Sequence, residues 1–138
     1  MKQFVEFELT PEFRDRFQEA LDQRDRTFIE DSLKDVNPVD ITALLYEFSA
    51  EDSKYTLDIL PVDVRAAILK DLDSDTRKGF LKIYTPDEIR ALVSQLDSDD
   101  VADILNELPI KVSEEVLVSL DAELRAQVID LLRYDENV

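Results

Sequence analysis

The chain has 138 residues, with 33 Asp and Glu against 16 Lys and Arg, so its formal net charge is -17. A polyanion of this density is repelled by phosphate backbones and anionic leaflets, which argues against binding to nucleic acid or a membrane surface. It has no Cys and no His, which removes thiolate nucleophiles, imidazole bases and soft metal ligands, so a metal site must use oxygen ligands and a hard cation such as Mg2+ or Ca2+.

Residues 1–12 contain Phe4, Val5 and Phe7 in a mixed apolar–acidic stretch. They are expected to form a variable extension that continues the fold, caps it or frays. Neither a signal-peptide core nor an apolar run of the ~20 residues needed to cross a bilayer is present. Hydrophobic residues make up 44% of the chain, too many for a disordered acidic tail. A single Gly disfavours hairpin-rich folds and phosphate-cradling loops.

From Asn37 the sequence divides without gaps into repeats of twelve: NPVDITALLYEF, SAEDSKYTLDIL, PVDVRAAILKDL, DSDTRKGFLKIY, TPDEIRALVSQL, DSDDVADILNEL, PIKVSEEVLVSL and DAELRAQVIDLL. Their first positions are Asn37, Ser49, Pro61, Asp73, Thr85, Asp97, Pro109 and Asp121, all residues that favour helix starts. Positions five, eight, nine and twelve carry most of the apolar side chains, an i, i+3, i+4, i+7 stripe. The register extends backward through Val36 and Leu33, and more weakly to Leu21. Each repeat therefore predicts a cap followed by roughly nine or ten helical residues. Helices this short are unstable alone and bury their apolar stripe only against neighbours. The expected fold is all-α, a right-handed superhelical array of short helices, α-solenoid-like. A compact bundle of longer helices is the alternative, disfavoured by the recurring Pro and cap punctuation.

Charge is uneven along these repeats. Residues 97–108 hold Asp97, Asp99, Asp100, Asp103 and Glu107 with no Lys or Arg, whereas residues 73–84 are net basic. Asp99 and Asp103 are four apart and share one helix face, as do Asp103 and Glu107. Like charges at that spacing repel by a few tenths of a kcal/mol, which a divalent cation would relieve, and Mg2+ typically takes one or two carboxylates and keeps several waters. Asp97 is expected to act as a helix cap, with Asp99 and Asp100 in the first turn where the helix dipole favours anions. Glu107 is expected to be simply solvated, and the basic pairs Arg77–Lys78 and Arg24–Arg26 to be surface charge. Catalysis is disfavoured: no Trp walls a carboxylate pair, and no His activates a Ser or Tyr hydroxyl. The last six residues, Arg-Tyr-Asp-Glu-Asn-Val (133–138), are polar and read as the start of a linker.

Three stretches carry a resemblance to a known family: ILPVDVRAAILKDL (Ile59 to Leu72), LDSDDVADILNELP (Leu96 to Pro109) and VIDLLRYDEN (Val128 to Asn137). Over roughly residues 15–137 the chain resembles the N-terminal cytosolic domain of MgtE-type magnesium transporters. That resemblance implies a single helical domain over residues 1–138, with 133–138 leading to CBS domains outside this chain. It further implies a non-catalytic regulatory role at the cytoplasmic face of the cell membrane, in which Mg2+ bridges this domain to the CBS domains and connecting helix and restrains ion flux. The family's metal-facing acids fall on Asp99 and Asp103, with Asp100 beside them. A carboxylate that some members carry on the helix of Arg65–Leu72 is replaced by Ala67, and the groups that complete the sites lie in the CBS domains and connecting helix outside this chain, so this domain alone should bind Mg2+ weakly. The helix array is also similar to flagellar motor switch domains, which leaves open a second reading as an interaction scaffold for a basic protein surface.

Overall fold

A computed structural model describes residues 3–132; residues 133–138, read above as a linker, lie outside the described residues. Among the described residues there are ten helices and no strand: α1 (Pro11–Gln23), α2 (Arg26–Leu33), α3 (Pro38–Leu45), α4 (Ala50–Ile59), α5 (Val62–Asp71), α6 (Ser74–Leu81), α7 (Pro86–Val93), α8 (Ser98–Glu107), α9 (Ile110–Ser119) and α10 (Ala122–Leu132). The chain is all-α, and every helix from α3 onward starts at the second position of a twelve-residue repeat.

The caps explain that regularity. The Asn37 side chain accepts from the Val39 N–H at 3.0 Å, Ser49 from Asp52 at 3.2 Å and Asp73 from Thr76 at 2.8 Å. At Thr85 the exchange is reciprocal, because its hydroxyl accepts from the Glu88 N–H at 3.1 Å while the Glu88 carboxylate accepts from the Thr85 N–H at 2.9 Å. Each bond satisfies a donor that the first helical turn leaves unpaired. Asp97 occupies the same position before α8, but its carboxylate makes no capping bond. The capping role expected of it is confined to the backbone. Thr85→Ala should therefore cost about 1 kcal/mol in urea denaturation, and Asp97→Ala no more than a few tenths.

The chain forms two compact units, one ending at Asp71 and one beginning at Leu72. In the first, α1 packs on α2, α2 on α4 and α3 on α5. In the second, α6 packs on α8, α8 on α10 and α7 on α9, with α9 also touching α8 and α10. Apart from these neighbours and the α1–α2 pair, the main contacts within each unit join helices two apart. The eighth position of every repeat is buried: Leu44, Thr56, Ile68, Phe80, Leu92, Ile104, Val116 and Val128. The ninth is buried from Leu45 through Leu105 and half-buried at Leu117 and Ile129.

The fifth position departs from the expected apolar stripe. Ile41, Ile89 and Val101 are buried there, but so are Ser53 and Arg77. Ser53 donates to the Leu45 carbonyl at 3.1 Å, Arg77 to Leu72 at 3.0 Å, and the equivalent Arg125 to Val118 at 2.9 Å. Each of these three side chains satisfies a backbone carbonyl that the helical ladder leaves unpaired.

The N-terminal extension is held against the first unit. The Val5 N–H donates to the Asp35 carbonyl at 2.9 Å, and the Phe7 ring meets Phe13 edge-on with centroids 5.3 Å apart.

Candidate functional site

α8 is fixed by one apolar face. Val101, Ala102, Ile104 and Leu105 are all buried, while Asp99, Asp103 and Asn106 face solvent. Asp99 and Asp103 are exposed and one turn apart, while Asp100 is half-buried at the side. The three predicted site residues thus share one short helix, with Asp99 and Asp103 forming an open acidic row.

Glu107 is not the solvated carboxylate expected from the sequence. It pairs with Arg77 of α6, whose Nε donates to Oε1 at 2.8 Å and whose Nη2 donates to Oε2 at 2.6 Å. The side chains are only 10% and 14% exposed. Arg77 is therefore not surface charge either. Its third contact, from Nη1 to the Leu72 carbonyl, fixes the guanidinium within the second unit. Arg24, from the second pair read as surface charge, keeps half its side chain in solvent but stacks on the Tyr55 ring at 4.3 Å and pairs with Asp52 at 3.2 Å.

Electrostatics follow the geometry. The hydrogen bond to Glu107 raises the Arg77 pKa above its ordinary value despite the opposing effect of burial, and the charges of Glu107, Asp103 and Asp100 add to the rise. For Glu107, burial pushes the pKa up, but hydrogen bonds from Arg77 and Ser74 and the charges of Arg77 and Lys78 outweigh it and hold the carboxyl below its usual value. Arg77 thus lies within the field of the acidic face of α8 while bonding directly to one member of it.

As a cation site the arrangement is open and incomplete. Among the described residues, no three carboxylates converge closely enough to hold a metal ion. Asp99 and Asp103 fit a cation that keeps much of its water, because Mg2+ is commonly held by one or two carboxylates with water or a second surface completing the shell. Asp100 stands beside them, toward Arg77. Lys78, Lys82, Tyr84, Glu107, Leu108 and Pro109 line a hollow of about 360 Å³ in the second unit, in which Glu107 meets two lysines and no second carboxylate. Among the described residues, no helix is long and apolar enough to cross a membrane.

Comparison with known proteins gives a consistent set of likenesses. A family model described as the MgtE intracellular N domain matches residues 36–137. The crystal structure of the soluble part of a magnesium transporter is similar at a TM-score of 0.74 and 17% identity, covering 89% of this chain and 49% of that one. The crystal structure of the cytosolic domain of the Mg2+ channel MgtE in complex with ATP is similar at a TM-score of 0.75 and 28% identity, covering 87% of this chain and 50% of that one. The chain thus spans about half the length of these structures. No curated protein matches it.

Proposed function

The chain belongs to the MgtE intracellular N domain family, and from that premise we propose that it is the Mg2+-sensing regulatory domain of a magnesium transporter, working without catalysis at the cytoplasmic face of the membrane. Its partners are the CBS domains and connecting helix of the same transporter, and its ligand is Mg2+ bound weakly at Asp99 and Asp103, with Asp100 alongside.

The observation that carries this reading is the row on α8. Two exposed carboxylates one turn apart occupy a repeat that contains no Lys or Arg of its own. At low Mg2+ such a face repels a second acidic surface. When Mg2+ rises, the ion bridges the two surfaces by taking carboxylates from each. The ion shifts the equilibrium toward the closed arrangement only because it binds that arrangement more tightly than the open one. Incomplete sites on each side supply this difference, since neither alone fills the coordination shell. Weak sites also place the response at high Mg2+ concentration, where influx should cease.

The test uses the intact transporter. Mg2+ is expected to protect its cytosolic region from protease, and the double substitution Asp99→Ala with Asp103→Ala is expected to shift that protection to at least about tenfold higher Mg2+, since each lost charge-assisted contact is worth at least ~1.4 kcal/mol. Unchanged protection in the double variant would remove Asp99 and Asp103 from the site.

A further inference from the structure

We propose that a hollow at the α4–α5 junction of the first unit is a docking site for a basic protein segment that carries an apolar anchor. The hollow is one of two built on the same frame. Helices α2 to α5 recur as α6 to α9 with every boundary moved by the same 48 residues, so that Arg26–Leu33 becomes Ser74–Leu81 and Val62–Asp71 becomes Ile110–Ser119. Leu33, Leu60, Pro61 and Val64 line the first hollow, of about 430 Å³. Their counterparts Leu81, Leu108, Pro109 and Val112 line the second, of about 360 Å³. Pro61 and Pro109 open the two repeats that begin with proline.

The frame is shared, but the rim is not. Around the first hollow the exposed residues are Glu30, Asp31 and Asp35 against a single Lys34. At the second, Lys78 stands where Glu30 does and Lys82 repeats Lys34, while the carboxylate there, Glu107, has both oxygens bound by Arg77. Two hollows of like construction thus present opposite charge. The first is also the more apolar inside, with Ile59 in place of Glu107 and Val36 in place of Tyr84.

These features define the occupant. Ligand pockets typically measure about 300–1,000 Å³, so the first hollow takes one or two large apolar side chains. Peptides that dock in such grooves combine apolar anchors with flanking charges that match the rim. Lys or Arg beside the anchor would face Glu30, Asp31 and Asp35. Glu30 is otherwise engaged only by Arg26, at 3.8 Å with both side chains more than half exposed, a pair that yields readily to another cation. The net charge of -17 steers a cationic segment toward the chain and opposes docking of a second copy. Asp99, Asp100 and Asp103 take no part, so this site stands or falls apart from the Mg2+ reading.

The test titrates the 138-residue chain with a synthetic amphipathic peptide, Leu at i, i+3, i+4 and i+7 and Lys elsewhere, and follows the backbone amide resonances. Shifts are expected at Leu33, Val36 and Ile41, and not at Leu81, Leu108 and Val112. The same peptide with Ser in place of Leu should lose them, because charge alone does not fill the hollow. Glu30→Lys with Asp35→Asn reverses the rim charge at exposed positions, and Asn tolerates the left-handed backbone of Asp35, whose φ is 59°. This variant is expected to bind the Leu–Lys peptide about 5- to 30-fold more weakly, the scale of three rim charges. Equal shifts at both hollows, shifts spread over the acidic surface, equal binding of the Ser peptide or no binding would each overturn the proposal. So would Leu33 and Val36 resonances that move with protein concentration alone, which would make a second copy the occupant.

Discussion

Glu107→Gln is expected to destabilise the second unit by about 2–4 kcal/mol, and Arg77→Ala by a similar amount. Removing one partner of a buried ion pair leaves the other charge desolvated and unpaired, at a typical cost of about 3–5 kcal/mol. The lower range applies here because the side chains are still 10% and 14% exposed, so solvent can partly rescue the survivor. The pair ties α6 to the last turn of α8, and Arg77 also holds the Leu72 carbonyl. Replacing both residues, as Arg77→Met with Glu107→Leu, should recover most of the loss, since the desolvation cost disappears with the charges. About 1 kcal/mol should remain for the lost bond to Leu72. Urea denaturation of the wild type, Arg77→Met, Glu107→Leu and the Met/Leu double variant gives the coupling directly, and additive losses would show that the pair does not act as a unit.

The same pair gives a pH dependence with a definite sign. The folded-state pKa of Glu107 is held below its ordinary value, so the unfolded chain takes up a proton there first on acidification. The stabilisation is complete above the unfolded carboxyl pKa of about 4.3 and is lost as pH falls through the lower folded value. Glu107→Gln should therefore have a shallower loss of stability below about pH 4.3 than the wild type, measured by denaturation across the acid range.

What the sequence reveals is the one-dimensional part of this architecture. Caps at fixed spacing predict helix starts because the capping bond is local: Thr85 and Glu88 are three residues apart, and their bonds need nothing from the rest of the fold. The buried eighth and ninth positions are legible for the same reason, since helical period alone assigns them to one face. The Arg77–Glu107 pair is not local. Thirty residues separate its members, and nothing in either repeat alone says which helix lies opposite. A signal was nonetheless present. Arg77 stands at the fifth position, where Ile41, Ile89 and Val101 are core residues. A cation at a core position requires a counterion, and Glu107 lies on α8, the helix that packs against α6. Asp97 fails differently. Its backbone starts the helix as expected, but the choice of side-chain rotamer depends on surroundings that spacing does not encode. The exposed row of Asp99 and Asp103 was legible because position in the helix period decides exposure, whereas the withdrawal of Glu107 from it was not.

Phe17→Ala is expected to cost the first unit about 3–5 kcal/mol, the range for removing a fully buried aromatic ring. Phe17 is 0% exposed. Its ring lies against Phe13 at 5.7 Å and stacks on Phe48 at 5.4 Å, while Phe13 meets Phe7 at 5.3 Å. The four rings form a continuous chain from the N-terminal extension through α1 to the segment after α3. Truncating Phe17 removes both of its ring contacts and leaves a cavity between elements that cannot collapse without moving helix backbones. Stability of the order of 5–15 kcal/mol is typical of a whole domain, so this one change should bring the unit close to unfolding. Phe17→Leu fills more of the space and should cost only about 1–2 kcal/mol. Val5 provides the comparison: it is 51% exposed, and Val5→Ala should fall within about 0.5 kcal/mol of wild type. The extension should respond to Phe17 all the same. Without that ring, Phe13 is less firmly seated, and Phe7 packs on Phe13. The Val5 amide, which donates to Asp35, should then exchange with solvent faster in Phe17→Ala than in Val5→Ala, although the substitution lies in a different element. Equal exchange rates in the two variants would show that the extension is held by the Asp35 bond alone and not by the aromatic chain beneath it.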